Sequence, residues 1–206
     1  MQVKLISINP AAETLIAYCA RVSSPRNQDN LESEKLLKYC IKNQHWSIFE
    51  MQNLVLEITT SRAISAQILR HKSFSFQEFS QRYAESSDFE TYEARAQDLK
   101  NRQNSTDTLS EQTKNWFNSE LSYIQHVTRN AYNHAINLGI AKECARFLLP
   151  MSTQTKLYMN GTIRSWIHYL NLRTGNGTQL EHKLIAEECK IIFKEQLPII
   201  SKALEW

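Results

Sequence analysis

Residues 70–83 of this sequence read RHKSFSFQEFSQRY and collect side chains whose types and spacing favour the binding of an anion. Arg70, Lys72 and Arg82 supply positive charge, and Glu78 is the one carboxylate among them. A guanidinium binds phosphate bidentately, a serine hydroxyl adds a short hydrogen bond, and an amide or carboxylate recognises the edge of a ring. The stretch therefore favours a phosphorylated, polar, planar ligand, although on spacing alone a solvated basic loop explains it equally well.

Two further features of this stretch favour the ligand-binding interpretation. Glu78, Ser80 and Arg82 share one parity in what is predicted to be an extended segment, so that a carboxylate, a hydroxyl and a guanidinium project to one side. Gln67 precedes Arg70 by about one helical turn, which is predicted to place an amide beside that cation.

The elements that must position these side chains are visible in the apolar pattern. Alternation predicts strands over residues 3–8 and 54–58 and an extended piece over residues 156–159. The apolar parity of the first strand shifts between Leu5 and Ile6.

Helical spacing of apolar residues predicts the remaining elements. Ser61 is predicted to cap a helix over residues 62–70, so the anion-binding stretch begins where that helix ends. An apolar stripe over residues 117–138 predicts a long helix that stops near Gly139. Other helices are predicted through Leu15 and Cys19, over residues 36–41, through Arg146, over residues 163–170 and over residues 180–193.

Together these elements predict an α+β protein with one domain over residues 1–206, built from a small mixed or antiparallel sheet and several long helices. Residues 84–113 are polar and only weakly periodic, which predicts a variable surface excursion or a lid.

Composition excludes several classes of function. A net charge of only +3 argues against nucleic acid as a partner, and the absence of a long apolar run argues against a membrane. Four widely separated cysteines and an N-terminus without a signal-peptide pattern predict a cytoplasmic protein with reduced thiols. Four glycines are too few for a glycine-rich phosphate loop, and no histidine or cysteine spacing predicts a metal site.

RHKSFSFQEFSQRY resembles the Arg-His-Arg, seven residues, Ser signature of the flavin-dependent thymidylate synthases, which binds FAD and dUMP. The similarity continues along nearly the whole chain in order. It includes ARVSSP at residues 20–25, NQHWSIFE at residues 43–50 with Gln44 in place of a glycine, ECARFLLP at residues 143–150 and IRSWIHYLNLR at residues 163–173.

The resemblance implies a homotetramer whose active sites are assembled from several chains. It implies reductive methylation of dUMP to dTMP, with 5,10-methylenetetrahydrofolate as carbon donor and NADPH, acting through FAD, as reductant. The implied dUMP contacts are Gln67, Arg70, Glu78, Ser80, Gln81, Arg82, Arg146 and Arg173. The implied FAD contacts are Ser23, Ser47, Arg70, His71, Lys72, Glu78, Thr162, Arg164 and His168.

Arg173 is the implied catalytic residue, which stabilises the ionised form of the uracil ring. Carbon-5 of uracil is a poor nucleophile, and negative charge across the ring raises its electron density, so a fixed guanidinium stabilises the activated form. Arg173 cannot lose its proton under these conditions, which restricts it to electrostatic stabilisation. Arg164 and His168, four residues apart, are predicted to share one helix face, with Arg173 about 180° around the helix from Arg164.

The sequence departs from the family pattern at a few positions. Lys72 replaces the third arginine of the signature, Thr162 stands where many relatives have asparagine, and Gly177-Thr178-Gln179 stands where His-Ala-Gln is common. Two alternatives therefore stay open: an enzyme of the same scaffold with altered chemistry, such as hydroxymethylation of a pyrimidine nucleotide, and a non-catalytic nucleotide- or RNA-binding protein.

Overall fold

The computed structural model describes residues 1–86 and 88–206. The strands in this part of the chain are β1 Gln2–Ile8, β2 Asn53–Ser61, β3 Phe74–Glu78, β4 Ala96–Gln97, β5 Ser105–Thr106 and β6 Gln154–Thr162. Four of them form an antiparallel sheet in the order β1–β2–β6–β3, and β4 pairs with β5 in a small ribbon. The α+β prediction is confirmed, and the main sheet is antiparallel rather than mixed.

Helices cover one face of this sheet and extend beyond it. They are α1 Ala12–Ala20, α2 Glu34–Lys42, α3 Arg62–Ile68, α4 Glu111–Asn137, α5 Lys142–Ala145, α6 Ile163–Arg173, α7 Leu180–Gln196 and α8 Pro198–Ala203. Short 3-10 turns occupy Pro25–Asn27, Trp46–Glu50 and Arg146–Leu148. Among the described residues, no helix combines the length and the apolar composition that crossing a bilayer requires.

A β-bulge in β1 explains the shift of apolar parity seen in the sequence. Leu5 pairs with Leu56 and Ser7 pairs with Val55, so Ile6 has no opposite residue on β2. An extra residue in one strand reverses the direction of the side chains that follow it. Val3 before the bulge and Ile8 after it therefore both pack against the core.

The core lies between the sheet and the pair α6 and α7. Alternate residues of β2, namely Leu54, Leu56 and Ile58, are fully buried, as period-two alternation predicts. Trp166 of α6 is also fully buried, and its indole N–H donates to the carbonyl of Leu54 at 2.9 Å. Because a buried N–H without a partner is costly, this bond fixes where α6 crosses β2.

Gly161 allows an aromatic ring to lie directly on the sheet. It pairs with Phe74 across β6 and β3, and a Cβ atom at this position would lie 2.4 Å from Cδ1 and Cε1 of that ring. The ring centroid of Phe74 lies 5.0 Å from that of Trp166 and 5.7 Å from that of Tyr169. The start of β3, and with it the candidate anion-binding stretch, is therefore packed tightly onto α6.

The predicted long helix is present as α4, but its apolar stripe is largely exposed in the single chain. Tyr132 and Ala135 near its end are buried, whereas Tyr123, Ile124 and Val127 are exposed. The helix ends as predicted before Gly139, which has φ +80°. An amphipathic helix normally buries its stripe, so most of this face is available to another surface.

Residues 84–113 contain the ribbon of β4 and β5, and several of them contact the rest of the domain. Phe89 forms a bridge with Thr153, and the carboxylate of Glu90 accepts from Gln154 Nε2 at 2.9 Å. The hydroxyl of Tyr92 donates to Ser61. This segment is thus fastened to β2 and β6 at several points.

Candidate functional site

A histidine and an arginine from the predicted site meet where β3 begins and α6 ends. The Nε–H of Arg173 donates to Nε2 of His71 at 2.9 Å. Burial lowers the pKa of His71 to about 4, and the positive charge of Arg173 is the next cause. The imidazole is therefore neutral at pH 7, and its unprotonated Nε2 accepts the bond from the guanidinium.

This bond fixes the direction of the Arg173 guanidinium. It uses the Nε–H and leaves the two Nη amino groups to donate to a ligand. The ring of Tyr169 lies edge-on to His71, with centroids 4.9 Å apart, and holds the imidazole from the other side. Arg173 and His71 are therefore in direct contact, and the ligand-binding roles implied for them stay predictions.

The amide of Gln67 is held by α7. Its Nε2 donates to Gln179 Oε1 at 2.6 Å, and its Oε1 lies 3.4 Å from Nδ1 of His182. Burial, followed by the charges of nearby groups, lowers the pKa of His182 to about 3. Neutral His182 then donates from Nδ1 to Gln67 and accepts the hydroxyl of Tyr169 at Nε2, 3.1 Å away. Gln67 is thus fixed by Gln179 and His182 at the start of α7. The placement of its amide beside the Arg70 side chain stays a prediction.

One oxygen of Glu78 accepts two hydrogen bonds from its own chain and forms an ion pair with Arg62. Oε1 accepts from Ser65 Oγ at 2.6 Å and from Thr155 Oγ1 at 3.1 Å, and it lies 2.9 Å from Nη1 of Arg62 in an ion pair. Sequence reasoning missed Arg62, because only the packing of α3 over β3 and β6 brings it to Glu78. The sequence feature that could have pointed to Arg62 is its place as a cation at the first position of a predicted helix.

The parity prediction for residues 78–82 is wrong beyond Glu78, where β3 ends. The carbonyl of Ser80 accepts from the N–H groups of Tyr83 and Ala84, both at 3.1 Å, and its hydroxyl accepts from the N–H of Arg82 at 3.3 Å. These bonds form a turn in which alternation no longer applies. Glu78, Ser80 and Arg82 therefore do not project from one face of a strand.

Gln81 and Arg146 line a common depression of about 320 Å³ together with Arg62. Gln81 is buried, and its Nε2 has no hydrogen-bond partner among residues 1–86 and 88–206. A buried donor without a partner is costly, so an oxygen of a ligand, a water molecule or another chain is needed to satisfy it. Arg82 lies outside this lining and forms an exposed ion pair with Glu143 at 3.3 Å.

A larger cleft of about 480 Å³ lies along one face of α6. Arg164 and His168 both line it, which confirms that they share a face, whereas Arg173 contacts His71 instead. Arg164 is held by Glu50 through an ion pair of 2.5 Å. The other lining residues are Trp46, Glu50, Ser73, Ser165, Ile167 and Asn171.

The donor set of this cleft suits an anionic cofactor with a flat ring. An imidazole, an amide and a guanidinium provide hydrogen-bond donors, the guanidinium being paired with the carboxylate of Glu50, and Trp46 adds an aromatic side chain to the lining. Predicted flavin contacts that do not line it are Ser23, Ser47, Arg70, His71, Lys72, Glu78 and Thr162. The hydroxyl of Thr162 caps α6 by accepting from the N–H of Ser165 at 3.2 Å.

The predicted residues therefore occupy several separate places in one chain. Glu78 and Ser80 line a third depression, of about 410 Å³, with Lys156 and Tyr158. Arg70, Lys72 and Ser47 are exposed. Within the part of the chain that the structure describes, no group of His, Cys, Asp and Glu side chains is placed to hold a metal ion.

Comparison with known proteins gives a consistent result. The family described as thymidylate synthase complementing protein matches residues 4–199. A flavin-dependent thymidylate synthase of Synechocystis is 56% identical over 194 residues, covering 94% of this chain and 90% of its own. A probable flavin-dependent thymidylate synthase of Paramecium bursaria Chlorella virus 1 is 54% identical, and the match covers all of both chains.

A solved structure shares the fold. The UMP/dUMP methylase PolB from Streptomyces cacaoi, bound with 5-Br dUMP, has a TM-score of 0.87 and 24% identity, covering 99% of this chain and 94% of its own.

Proposed function

Because this chain belongs to the thymidylate synthase complementing protein family, we propose that it is a flavin-dependent thymidylate synthase that converts dUMP to dTMP. The expected co-substrates are 5,10-methylenetetrahydrofolate and NADPH, with FAD as cofactor. In the net reaction, dUMP, methylenetetrahydrofolate, NADPH and a proton give dTMP, tetrahydrofolate and NADP⁺. The one-carbon unit replaces the hydrogen on carbon-5 of uracil, and NADPH provides the two electrons that reduce it to methyl.

The observation that carries this proposal within the structure is the Arg173–His71 pair. Neutral His71 accepts from Nε of Arg173, so the two Nη groups keep one direction. A guanidinium fixed before the ligand arrives stabilises negative charge on the uracil ring without reorganising during the reaction. Arg173 is accordingly proposed as the catalytic residue.

The nucleotide is proposed to be held by Gln67, Arg70, Glu78, Ser80, Gln81, Arg82, Arg146 and Arg173. Gln81, whose buried Nε2 has no partner among the described residues, is suited to donate to an oxygen of the ligand. Arg146 lines the same depression and supplies a guanidinium for phosphate.

FAD is proposed to bind through Arg164 and His168 in the 480 Å³ cleft. The other proposed contacts are Ser23, Ser47, Arg70, His71, Lys72, Glu78 and Thr162. When bound, the flavin supplies the two-electron redox chemistry that links NADPH to the nucleotide, and the protein provides orientation and charge.

The complete site is proposed to form between chains of a homotetramer. Two features support this: the proposed ligand contacts are divided among separate depressions, and the apolar residues Tyr123, Ile124 and Val127 of α4 are exposed. We further propose that residues 84–113 of this single domain act as a lid and that the protein is cytoplasmic, in line with its four free cysteines.

A direct assay tests the proposed function. Purified protein supplied with dUMP carrying tritium at carbon-5, methylenetetrahydrofolate and NADPH should release tritium and form dTMP. Leaving out each co-substrate in turn should stop the release. Absence of release from protein that retains flavin contradicts the proposal, and 5-hydroxymethyl-dUMP as the product would indicate altered chemistry on the same scaffold.

A further inference from the structure

A chain of polar contacts runs from the 84–113 segment to Gln67. Arg95 Nη2 donates to Glu181 Oε1 at 2.6 Å, and the other oxygen of Glu181 accepts from Gln179 Nε2 at 2.8 Å. Gln179 Oε1 in turn accepts from Gln67 Nε2 at 2.6 Å. Arg95 is fixed by a second bond, from its Nε to Ser105 Oγ at 2.9 Å.

The Arg95–Glu181 ion pair, which is the first of these contacts, is largely buried. The side chain of Arg95 is 15% exposed and that of Glu181 is 5% exposed. A buried charge that loses its partner is strongly unfavourable, so Arg95 holds Glu181 in one position. By contrast, an exposed ion pair contributes little.

The direction of each amide follows from that position. Glu181 carries only acceptors, so Gln179 must present its amino group to it and its carbonyl oxygen to Gln67. The amino group of Gln67 then faces Gln179, and its oxygen faces Nδ1 of His182. One amide N–H and one lone pair of Gln67 remain for a ligand.

We propose that Arg95 is a positioning residue for the nucleotide site, acting through Glu181 and Gln179 to set the orientation of the Gln67 amide. The inference rests on the proposed function, because it takes Gln67 as a contact of dUMP. It gives the 84–113 segment a defined role, since a residue of that segment determines which edge of the nucleotide Gln67 can recognise.

The same segment offers a matched control. Lys114, at the start of α4, holds Asp107 at 2.6 Å and Glu93 at 3.3 Å and therefore also fastens residues 84–113. It has no part in the contacts from Arg95 to Gln67. Arg95→Met and Lys114→Met thus separate the positioning of Gln67 from general anchoring of the segment.

The experiment measures dUMP affinity by calorimetry on flavin-loaded protein, together with kcat, KM and melting temperature. Arg95→Met is expected to weaken dUMP binding about tenfold and to raise KM by a similar factor. Arg95→Lys should recover part of the loss, because it keeps the charge beside Glu181. Glu181→Gln, of equal volume, should reproduce the loss, because its amide cannot accept from both neighbours. Lys114→Met should stay within about twofold of wild type.

A double-mutant cycle provides the decisive reading. If Arg95 acts through Gln67, the double variant Arg95→Met/Gln67→Ala should bind dUMP no more than about twofold more weakly than Gln67→Ala alone. Additive losses, or equal losses in Arg95→Met and Lys114→Met, overturn the inference, as does a lower melting temperature with unchanged dUMP affinity. Failure of the wild-type protein to bind dUMP contradicts the proposed function instead.

Discussion

The interior and the rim of the candidate site are constructed differently. In the interior, Arg173 contacts His71, and His71 packs against the buried ring of Tyr169. At the rim, Arg82 pairs with exposed Glu143, and the guanidinium carbon of Arg146 lies 5.5 Å from the ring centroid of exposed Phe147. The interior geometry is thus determined by a single chain, whereas the rim is open to a ligand or to another copy of the chain.

This difference concerns energy as well as geometry. The Arg82–Glu143 pair has side chains that are 61% and 54% exposed, and such pairs contribute about 0–1 kcal/mol. A ligand phosphate can therefore take Arg82 from Glu143 at little cost. Displacing Arg173 from His71 would instead leave a half-buried acceptor without its donor, which is costly.

The largest effect is expected in the interior, from Arg173→Lys. Lysine keeps the positive charge but has no Nε–H to bond His71 while other donors face the ligand. We expect kcat to fall by about 10²-fold or more, as when one fixed donor to developing charge is lost. Arg82→Lys at the rim should lower kcat by less than about tenfold. Equal losses in the two variants would remove the distinction between interior and rim.

The next effect tests whether other copies complete the rim. Tyr123 is 65% exposed on α4, next to exposed Ile124 and Val127. Tyr123→Glu places a charge in this apolar face, so we expect a smaller assembly by light scattering and at least about tenfold less activity. The control is Gln112→Glu, at an exposed polar position of α4. An unchanged mass with full activity in Tyr123→Glu would show that this face is not an interface.

Rigidity of the interior is tested by Gly161→Ala. The added Cβ atom would lie 2.4 Å from the ring of Phe74, which packs on Trp166 and Tyr169. We expect the free energy of unfolding to fall by about 1–3 kcal/mol, measured by urea denaturation. Gly175→Ala, where the nearest atom is 3.4 Å away, should change it far less. Recovery of stability in Gly161→Ala/Phe74→Leu would identify the ring as the cause.

Lowering the pH is expected to have a smaller effect, on the free energy of unfolding. In the folded protein the pKa of His71 is about 4 and that of His182 is about 3, both below the ordinary 6.5. At pH values between the folded and the ordinary pKa, the unfolded chain therefore binds more protons than the folded protein. The free energy of unfolding is therefore fully retained above pH 6.5 and falls as the pH drops below it. At one pH unit below 6.5, buried His182 alone should account for about 1 kcal/mol.

Unfolding at pH 7.5 and pH 5.5 measures this difference. His182→Gln should reduce the loss between the two pH values, even if it is less stable at both. His134→Gln, on the exposed side of α4, should keep the wild-type loss. An unchanged loss in His182→Gln would show that the buried histidine is not its source.

The same contrast explains how much could be predicted from the sequence. Helix and strand periods, the Ser61 cap and the shared face of Arg164 and His168 follow from local geometry, and all of them are present. The ion pair between Arg62 and Glu78 was missed because it joins two different elements of the fold, α3 and β3. The predicted strand parity of Glu78, Ser80 and Arg82 was wrong beyond Glu78, because the carbonyl and hydroxyl of Ser80 form a turn after the strand ends.

The family resemblance predicted the function more specifically than the local pattern of residues did. The basic stretch alone was equally consistent with a solvated loop, whereas motifs along the whole chain identified the family that the comparisons confirm. Neither the local pattern nor the family motifs indicated the contacts from Arg95 to Gln67, because these contacts depend on how residues 84–113 fold back onto α7.

The smallest effect concerns the end of α2, where Gln44 stands in place of the glycine of the family pattern. The N–H of His45 donates to Cys40 and that of Gln44 to Ile41, with Gln44 at φ +59°. This is the arrangement in which helices usually end on glycine. Because a side chain is strained there, Gln44→Gly should raise the free energy of unfolding by about 0.5–1 kcal/mol in urea denaturation.

The end of α4 supplies the matched control for Gln44→Gly. The N–H groups of Gly139 and Ile140 donate to Ile136 and Ala135 in the same pattern, with glycine at φ +80°. A Cβ atom added to Gly139 would have no neighbour within 4 Å among the described residues. Gly139→Gln should therefore lower the free energy of unfolding by a similar amount, through the backbone alone. If the two substitutions shift stability in the same direction, backbone strain does not govern these helix ends, and the presence of Gln44 at the end of α2 has another cause.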